Sequence, residues 1–187
     1  MAYLKSTDYF ERTKKNCSHK VKLIMGIIYK DAKYKDKALA MLVKKFGMTD
    51  LISNELVFNF TPYYEKEFGK GLKKILLSFK DLVYQKNIFK IKSFTQSLER
   101  KLSLNKARCV NIDPGYIALG KLVLLSSKNH YHRIYLDAGI YAEITLRFKN
   151  LTFVPLEWTY PDFKTQPYIS FFNKARERYK TDLGNLA

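Results

Sequence analysis

The chain is poor in the residues that mark several large classes of protein. Its 187 residues include only 2 cysteines, which excludes a disulfide scaffold and any four-cysteine zinc site. The longest apolar run, Leu23–Ile28, is far shorter than the roughly 20 residues of a membrane-spanning helix. No apolar signal core follows Met1. These absences predict a cytoplasmic protein without a transmembrane segment.

Acidic residues are scarce relative to basic ones. The chain carries 34 Lys and Arg against 17 Asp and Glu, a formal net charge of +17 at pH 7. Such an excess favours anionic partners, namely nucleic acid, nucleotides, phosphorylated metabolites or an anionic membrane. The hydrophobic fraction of 47% and the charged fraction of 27% are typical of a folded domain rather than a disordered chain.

The pattern along the chain predicts one α+β domain over 1–187. A loose basic arm is expected at 1–20, an α/β half at 21–105 and a β-rich half at 106–187. We expect a mixed or antiparallel sheet with helices packed on one side. The C-terminal half is expected to be a β-hairpin meander closed by an amphipathic helix.

Individual elements follow from hydrophobic periodicity and from turn and cap residues. The predicted helices cover 33–46, 63–68, 87–102 and 168–179. The predicted strands cover 21–29, 56–60, 72–77, 109–112, 121–126, 132–136 and 140–149. Ser78–Asp81 resembles a helix capping box, and Asp113–Gly115 resembles a turn that ends a strand.

A hairpin in the second half concentrates polar side chains. Asp137–Gly139 fits a three-residue loop, which would pair Tyr135 with Tyr141 and Arg133 with Glu143. The face expected to be polar carries Arg133, Tyr135, Tyr141, Glu143, Thr145 and Arg147. The face expected to be buried carries Ile134, Leu136, Ile140, Ala142, Ile144, Leu146 and Phe148.

Two interpretations of the polar face are open. It could be the solvated side of an antiparallel sheet, with Arg133 and Glu143 as a cross-strand pair. Alternatively, tyrosines beside a charged pair could line a concave site for an anion or a nucleotide. In the second case Arg133 and Lys128 would neutralise phosphate, while Tyr135 and Tyr141 would stack on a base.

Several motifs of the chain together resemble the domain-of-unknown-function family 4416. They are Phe60–Gly69, Leu77–Lys80, Asn111–Tyr116, Ser127–Asn129, His132–Tyr135, Gly139–Leu146 and Trp158–Asp162. The resemblance covers roughly residues 20–165. It implies a bacterial family of which some members are labelled GTP-binding. It singles out the polar residues Asp113, Lys128, His132, Arg133, Glu143, Thr145 and Asp162.

Gly115–Lys121 matches the G-x-x-x-x-G-K pattern of a phosphate-binding loop. Leu122 stands where Ser or Thr would hold Mg²⁺, and an apolar strand follows where a helix should begin. We therefore interpret the match as accidental.

The leading hypothesis is binding of a phosphorylated ligand, a nucleotide or RNA, at a site on the hairpin walled by Asp113, Lys128 and Trp158–Asp162. The alternative is a non-catalytic RNA- or ribosome-associated basic module. Candidate catalytic residues are Asp113, Glu143 and His132. Candidate ligand-binding residues are Lys128, Arg133, Tyr135, Tyr141, Thr145 and Trp158. Asp113, Glu143 and Asp162 are the candidate ligands of a divalent cation, Mg²⁺ or Mn²⁺.

Asp113 and Glu143 would repel each other if both lay in one cleft. We therefore expect that neutralising either residue stabilises the ligand-free protein or leaves its stability unchanged.

Overall fold

A computed structural model describes residues 20–105 and 107–185, without the side chain of Lys66. The arm predicted at 1–20 lies outside the described residues, apart from Lys20. In the described part of the chain, no helix is both long enough and apolar enough to cross a membrane.

The described chain folds into a nine-stranded antiparallel sheet with helices, which confirms the α+β prediction. The strands are β1 Lys20–Tyr29, β2 Thr49–Ile52, β3 Leu56–Val57, β4 Lys73–Tyr84, β5 Val110–Ala118, β6 Lys121–Ser126, β7 Ile134–Asp137, β8 Ile140–Lys149 and β9 Thr152–Pro155. The α-helices are α1 Ala32–Phe46, α2 Glu65–Phe68, α3 Phe89–Lys101 and α4 Gln166–Gly184. Short 3₁₀ turns occupy Pro62–Tyr64 and Asp162–Lys164.

The strand order is β2-β4-β1-β5-β6-β8-β7, with β3 also paired to β4 and β9 also paired to β8. Strand β1 lies in the middle of the sheet, antiparallel to both β4 and β5. All of its residues from Val21 to Tyr29 are buried, as a nearly continuous apolar run predicts for a strand covered on both faces.

Helices cover both faces of the sheet, whereas the sequence predicted helices on one side. Leu23 and Met25 of β1 belong to the cluster that contains Leu42 of α1 and Leu98 of α3. Ile24 points to the other face, because side chains alternate along a strand, and joins the cluster formed with α4. The closing amphipathic helix is confirmed, but it packs opposite α1 and α3.

Charged residues fix α4 to this second face of the sheet. Lys22 is fully buried, and its ammonium group pairs with Asp50 and with Asp182 near the end of α4. The Tyr179 hydroxyl donates a hydrogen bond to the carbonyl oxygen of Lys20 at 2.8 Å. The end of α4 is therefore tied to the start of β1.

Two segments that were predicted to lie outside strands are in fact parts of strands. Strand β4 continues through Ser78–Asp81, so the capping-box interpretation is wrong; Ser78 is buried and hydrogen-bonds Asp50. Strand β5 continues through Asp113–Gly115, so the turn interpretation is also wrong. A Cβ at Gly115 would lie 2.4 Å from the carbonyl oxygen of Val123, so only glycine permits this close approach of β5 and β6.

The sheet parts between β5 and β6 directly beyond this glycine. Gly115 and Leu124 form the last pair of that ladder. From Pro114 backwards, β5 pairs only with β1, while Leu125 and Ser126 of β6 pair only with β8. Pro114 lacks a backbone N–H, so no hydrogen bond to β6 is lost at this position.

The β7–β8 hairpin keeps part of its predicted register. Tyr135 pairs with Tyr141, as predicted, but Asp137 pairs with Ile140. The loop is therefore Ala138 and Gly139 alone, with φ values of 48° and 72°, and an irregularity at Leu136 absorbs the difference.

The predicted buried face of this hairpin is wrong in part. Ile134 is 72% exposed and Ile144 is 40% exposed, whereas Glu143 and Thr145 are buried. The β6–β8 register shifts by one residue between Leu122 and Val123, and a shift of this kind moves the following side chains to the other face.

Candidate functional site

A cavity of about 440 Å³ lies where β5 and β6 part. Its walls come from β5, β6 and β8, from helix α3, from the loop between β6 and β7, and from both 3₁₀ turns. The described cationic residues lining it are Lys74, Lys92, Arg108, Lys128 and Arg133. The described carboxylates lining it are Glu99, Asp113, Glu143 and Asp162.

Five residues that the sequence singled out converge on this one cavity. Their side chains come from β5, the β6–β7 loop, β8 and the second 3₁₀ turn, which are separated widely along the chain. They are Asp113, Lys128, Arg133, Glu143 and Asp162.

Arg133 and Glu143 form the buried centre of the site. Arg133 Nε donates to Glu143 Oε2 at 2.7 Å, and each side chain is only 1% exposed. Arg133 Nη1 donates to Ser126 Oγ and to the carbonyl oxygen of Lys128, both at 2.8 Å. Arg133 Nη2 donates to the Tyr160 hydroxyl at 2.6 Å. The guanidinium group therefore fixes the loop that carries Lys128.

Lys128 has the most accessible cation of the cavity. The residue is exposed, and its ammonium nitrogen lies 3.9 Å from the ring centroid of Tyr63 in the first 3₁₀ turn. Among the described residues, no carboxylate forms a salt bridge with it. The positive charge of Lys128 at the cavity therefore contacts an aromatic ring.

Asp113 lies in a polar group on the helix α3 side. Lys92 donates to the carbonyl oxygen of Ile112 at 2.9 Å and to Asp113 Oδ1 at 3.3 Å. Asn111 Nδ2 donates to Asp113 Oδ2 at 2.7 Å. Both oxygens of this carboxylate are therefore engaged by protein donors.

Glu99 and Arg108 extend the same group. The backbone N–H of Ile112 donates to Glu99 Oε1 at 2.7 Å, and Arg108 Nη1 donates to Glu99 Oε2 at 3.3 Å. Burial raises the pKa of the Glu99 carboxyl, although Lys92 and Arg108 oppose the rise. Hydrogen bonding to Arg108 lowers the pKa of Glu67, which binds the other side of the guanidinium group.

Lys74 and Asp162 form a second buried ion pair. Lys74 Nζ donates to Asp162 Oδ2 at 2.7 Å, and both side chains are almost fully buried. The ammonium group also lies 5.4 Å from the Phe58 ring centroid and 4.8 Å from that of Phe163. This cation is enclosed by protein groups.

The remaining predicted site residues do not line the cavity. His132 Nε2 lies 3.2 Å from Glu143 Oε2, and the Thr145 hydroxyl donates to Glu143 Oε1 at 3.0 Å. Trp158 stacks on His132 with ring centroids 5.3 Å apart. His132 and Thr145 therefore lie within hydrogen-bonding distance of Glu143, and Trp158 packs against His132.

Tyr135 and Tyr141 also lie outside the cavity. They contact each other across the β7–β8 pair, with ring centroids 5.4 Å apart. Neither tyrosine is among the residues that line the cavity, and the stacking of a base on these two rings stays a prediction.

The three candidate metal ligands face cations of the protein. Asp113 pairs with Lys92, Glu143 with Arg133 and Asp162 with Lys74. Within residues 20–105 and 107–185, no three His, Cys, Asp or Glu side chains are grouped so that they could hold a metal ion. Because Asp113 faces Lys92 and Glu143 faces Arg133, the structure does not support the expected repulsion between these two carboxylates, and the metal site stays a prediction.

Sequence reasoning missed Lys74, Lys92, Glu99, Arg108 and several aromatic residues of the walls. For α3 a signal existed. Lys92 lies four residues after Ile88 and Glu99 lies seven residues after Lys92, on the stripe that also carries Thr95 and Leu102. Charged residues on the buried stripe of a helix indicate a buried polar site.

The described fold is an α+β domain with a charged cavity where strands β5 and β6 of its antiparallel sheet separate. The family model described as Domain of unknown function (DUF4416) matches residues 19–179, and the chain belongs to this family. The matched residues include every charged residue of the cavity wall. No curated protein and no solved structure matches the chain.

Proposed function

We propose that the cavity binds a small phosphorylated molecule that carries an aromatic ring, as a nucleotide does. The observation that carries this proposal is the position of Lys128. Lys128 is an exposed residue at the cavity, and among the described residues its ammonium group contacts an aromatic ring rather than a carboxylate. A phosphate oxygen is a stronger partner for an ammonium group than a ring is.

The rest of the wall suits the ring of such a ligand. Phe60, Tyr63, Tyr64 and Tyr160 line the cavity together with the polar side chains already described. Aromatic side chains stack on planar rings, and pockets for small molecules combine apolar walls with a few convergent polar groups. The cavity volume of about 440 Å³ lies within the usual range for such pockets, roughly 300–1,000 Å³.

The proposal concerns binding, with distinct roles for the charged residues. Lys128 contacts the phosphate group. Arg133 acts as a positioning residue, because its described hydrogen bonds go to Glu143, Ser126, Tyr160 and the backbone of Lys128. Catalytic roles for Asp113, Glu143 and His132 stay predictions.

RNA binding stays a prediction as well. The net charge of +17 supports it. The cavity favours a small ligand over a polymer, because most of the charged groups that line it are buried inside the fold.

A thermal-shift panel tests the proposal. The ligands are the four common nucleoside monophosphates and triphosphates, FMN, pyridoxal 5′-phosphate and inorganic phosphate. A ligand present at about 100 times its Kd stabilises the folded state by about 2.7 kcal/mol. In a chain of this size that corresponds to a rise in Tm of about 5–10 °C.

The variant Lys128→Ala should lose the shift, because it removes the phosphate contact. Lys149→Ala is the matched control, since Lys149 is an exposed lysine of β8 that does not line the cavity, and it should respond like the unaltered protein. A panel without any shift, or an unchanged response of Lys128→Ala, would contradict the proposal.

A further inference from the structure

We propose that the ligand of this cavity carries a single phosphate group and that nucleoside triphosphates are poor ligands. This inference rests on the proposed function and specifies the class of ligand. Its basis is the balance of charges in the cavity wall.

The charges of the wall nearly cancel. The described lining residues comprise five cationic side chains and four carboxylates, an excess of one positive charge with His130 neutral. Three of the carboxylates each form a salt bridge with a different lining cation, and the fourth, Glu99, pairs with Arg108, which also binds Glu67 outside the lining. The excess therefore corresponds to Lys128.

The paired cations have few donors left for a ligand. Arg133 donates hydrogen bonds from Nε, Nη1 and Nη2 to four protein acceptors. Arg108 donates to both oxygens of Glu67, to Glu99 and to Asn111. Lys74 holds Asp162 and is otherwise surrounded by aromatic rings. Each of these cations already pairs with a carboxylate, so a phosphate would compete with that carboxylate for its charge.

The size of the charge excess limits the charge of the ligand. A phosphate monoester carries about −1.5 to −2 charges near pH 7, and a diester carries less. One such group is largely balanced by Lys128 and by solvent at the open side of the cavity. Each further phosphate adds negative charge that meets no unpaired cation among the described lining residues, and an unpaired charge inside a protein is costly.

A divalent cation is the usual remedy for this imbalance, since Mg²⁺ accompanies the phosphates of a triphosphate at many sites. The described carboxylates of this wall are already neutralised by Lys and Arg. The wall therefore favours the single phosphate.

Isothermal titration calorimetry at fixed ionic strength tests this inference. The probes are each nucleoside, its 5′-monophosphate and its 5′-triphosphate, the last with and without Mg²⁺. For the base that binds best, the monophosphate should bind at least about tenfold more tightly than the triphosphate, a difference of about 1.4 kcal/mol. It should also bind more tightly than the nucleoside.

Variants locate the effect at Lys128. Lys128→Gln removes the excess charge and should reduce the affinity for the monophosphate to that for the nucleoside, whereas Lys149→Gln should change neither affinity. Equal or tighter binding of the triphosphate overturns the inference and leaves the proposed function standing. Absence of binding by every phosphorylated probe, or equal binding of nucleoside and monophosphate, overturns both.

Discussion

At the scale of single residues, the site is built from buried ion pairs. The side chains of Arg133 and Glu143 are each only 1% exposed, and Arg133 donates a hydrogen bond to the backbone carbonyl oxygen of Lys128. A buried pair of this kind adds little net stability, because desolvation offsets the attraction between the charges. Its effect is to fix geometry at the cavity.

Removing one charge of the pair has a different consequence. Glu143→Gln leaves the Arg133 guanidinium buried without a counter-charge, so it should lower the free energy of unfolding by about 3–5 kcal/mol. Urea denaturation measures this change. The direction is opposite to that expected from like charges in one cleft.

A surface pair supplies the control. Glu177 is 63% exposed and bonds only Arg176 among the described contacts, so Glu177→Gln should cost less than about 1 kcal/mol. Equal losses in the two variants would show that the buried pair is no more important for folding than a surface pair.

Among the residues of the site, the sequence predicted only those that stand in the motifs resembling the family. Asp113, Lys128, Arg133, Glu143 and Asp162 stand in the motifs that resemble the family. Lys74 follows another lysine at the start of β4. Its burial depends on aromatic rings from α4, from the second 3₁₀ turn and from the segment after β3. Long-range packing of this kind leaves no local pattern in the sequence.

At the scale of elements, register decides which side chains reach the site. The strand β8 was predicted correctly in its bounds, but a shift of one residue against β6 buries Thr145 beside Leu146 and exposes Ile144. Strict alternation places Ile144 and Leu146 on the same buried face. A β-bulge is set by the neighbouring strand, so the sequence of β8 alone does not reveal it.

Two substitutions in β8 test this register. Ile144→Asp should cost less than about 1 kcal/mol, because Ile144 is partly exposed to solvent. Leu146→Asp should cost several kcal/mol, because it places an unpaired carboxylate in the core. Urea denaturation of both variants provides the comparison. Strong destabilisation by Ile144→Asp would instead support a strictly alternating register, in which Ile144 is buried.

At the scale of the whole molecule, charge and cavity are separate features. The net charge of +17 arises from basic residues spread over the chain, whereas the cavity contributes an excess of one. Single-stranded RNA should bind the basic surface at low salt and dissociate as salt increases, because binding releases counterions. Fluorescence anisotropy at about 50 and 200 mM salt measures the slope.

The variant Lys128→Ala distinguishes RNA binding at the basic surface from RNA binding in the cavity. Lys128→Ala removes one basic residue among 34 and should leave RNA affinity and its salt dependence nearly unchanged. Loss of RNA binding in this variant, or affinity that is insensitive to salt, would instead place the RNA contact in the cavity.

The central position of β1 affects the time course of biosynthesis. This strand pairs with β4 and β5, whose residues follow it by long stretches of chain, and its Lys22 pairs with Asp182, 160 residues away. A ribosome adds roughly 5–20 residues per second, so β1 waits several seconds for its second neighbour. During that interval the nascent chain exposes its most apolar segment, which makes β1 the natural point of engagement for a chaperone.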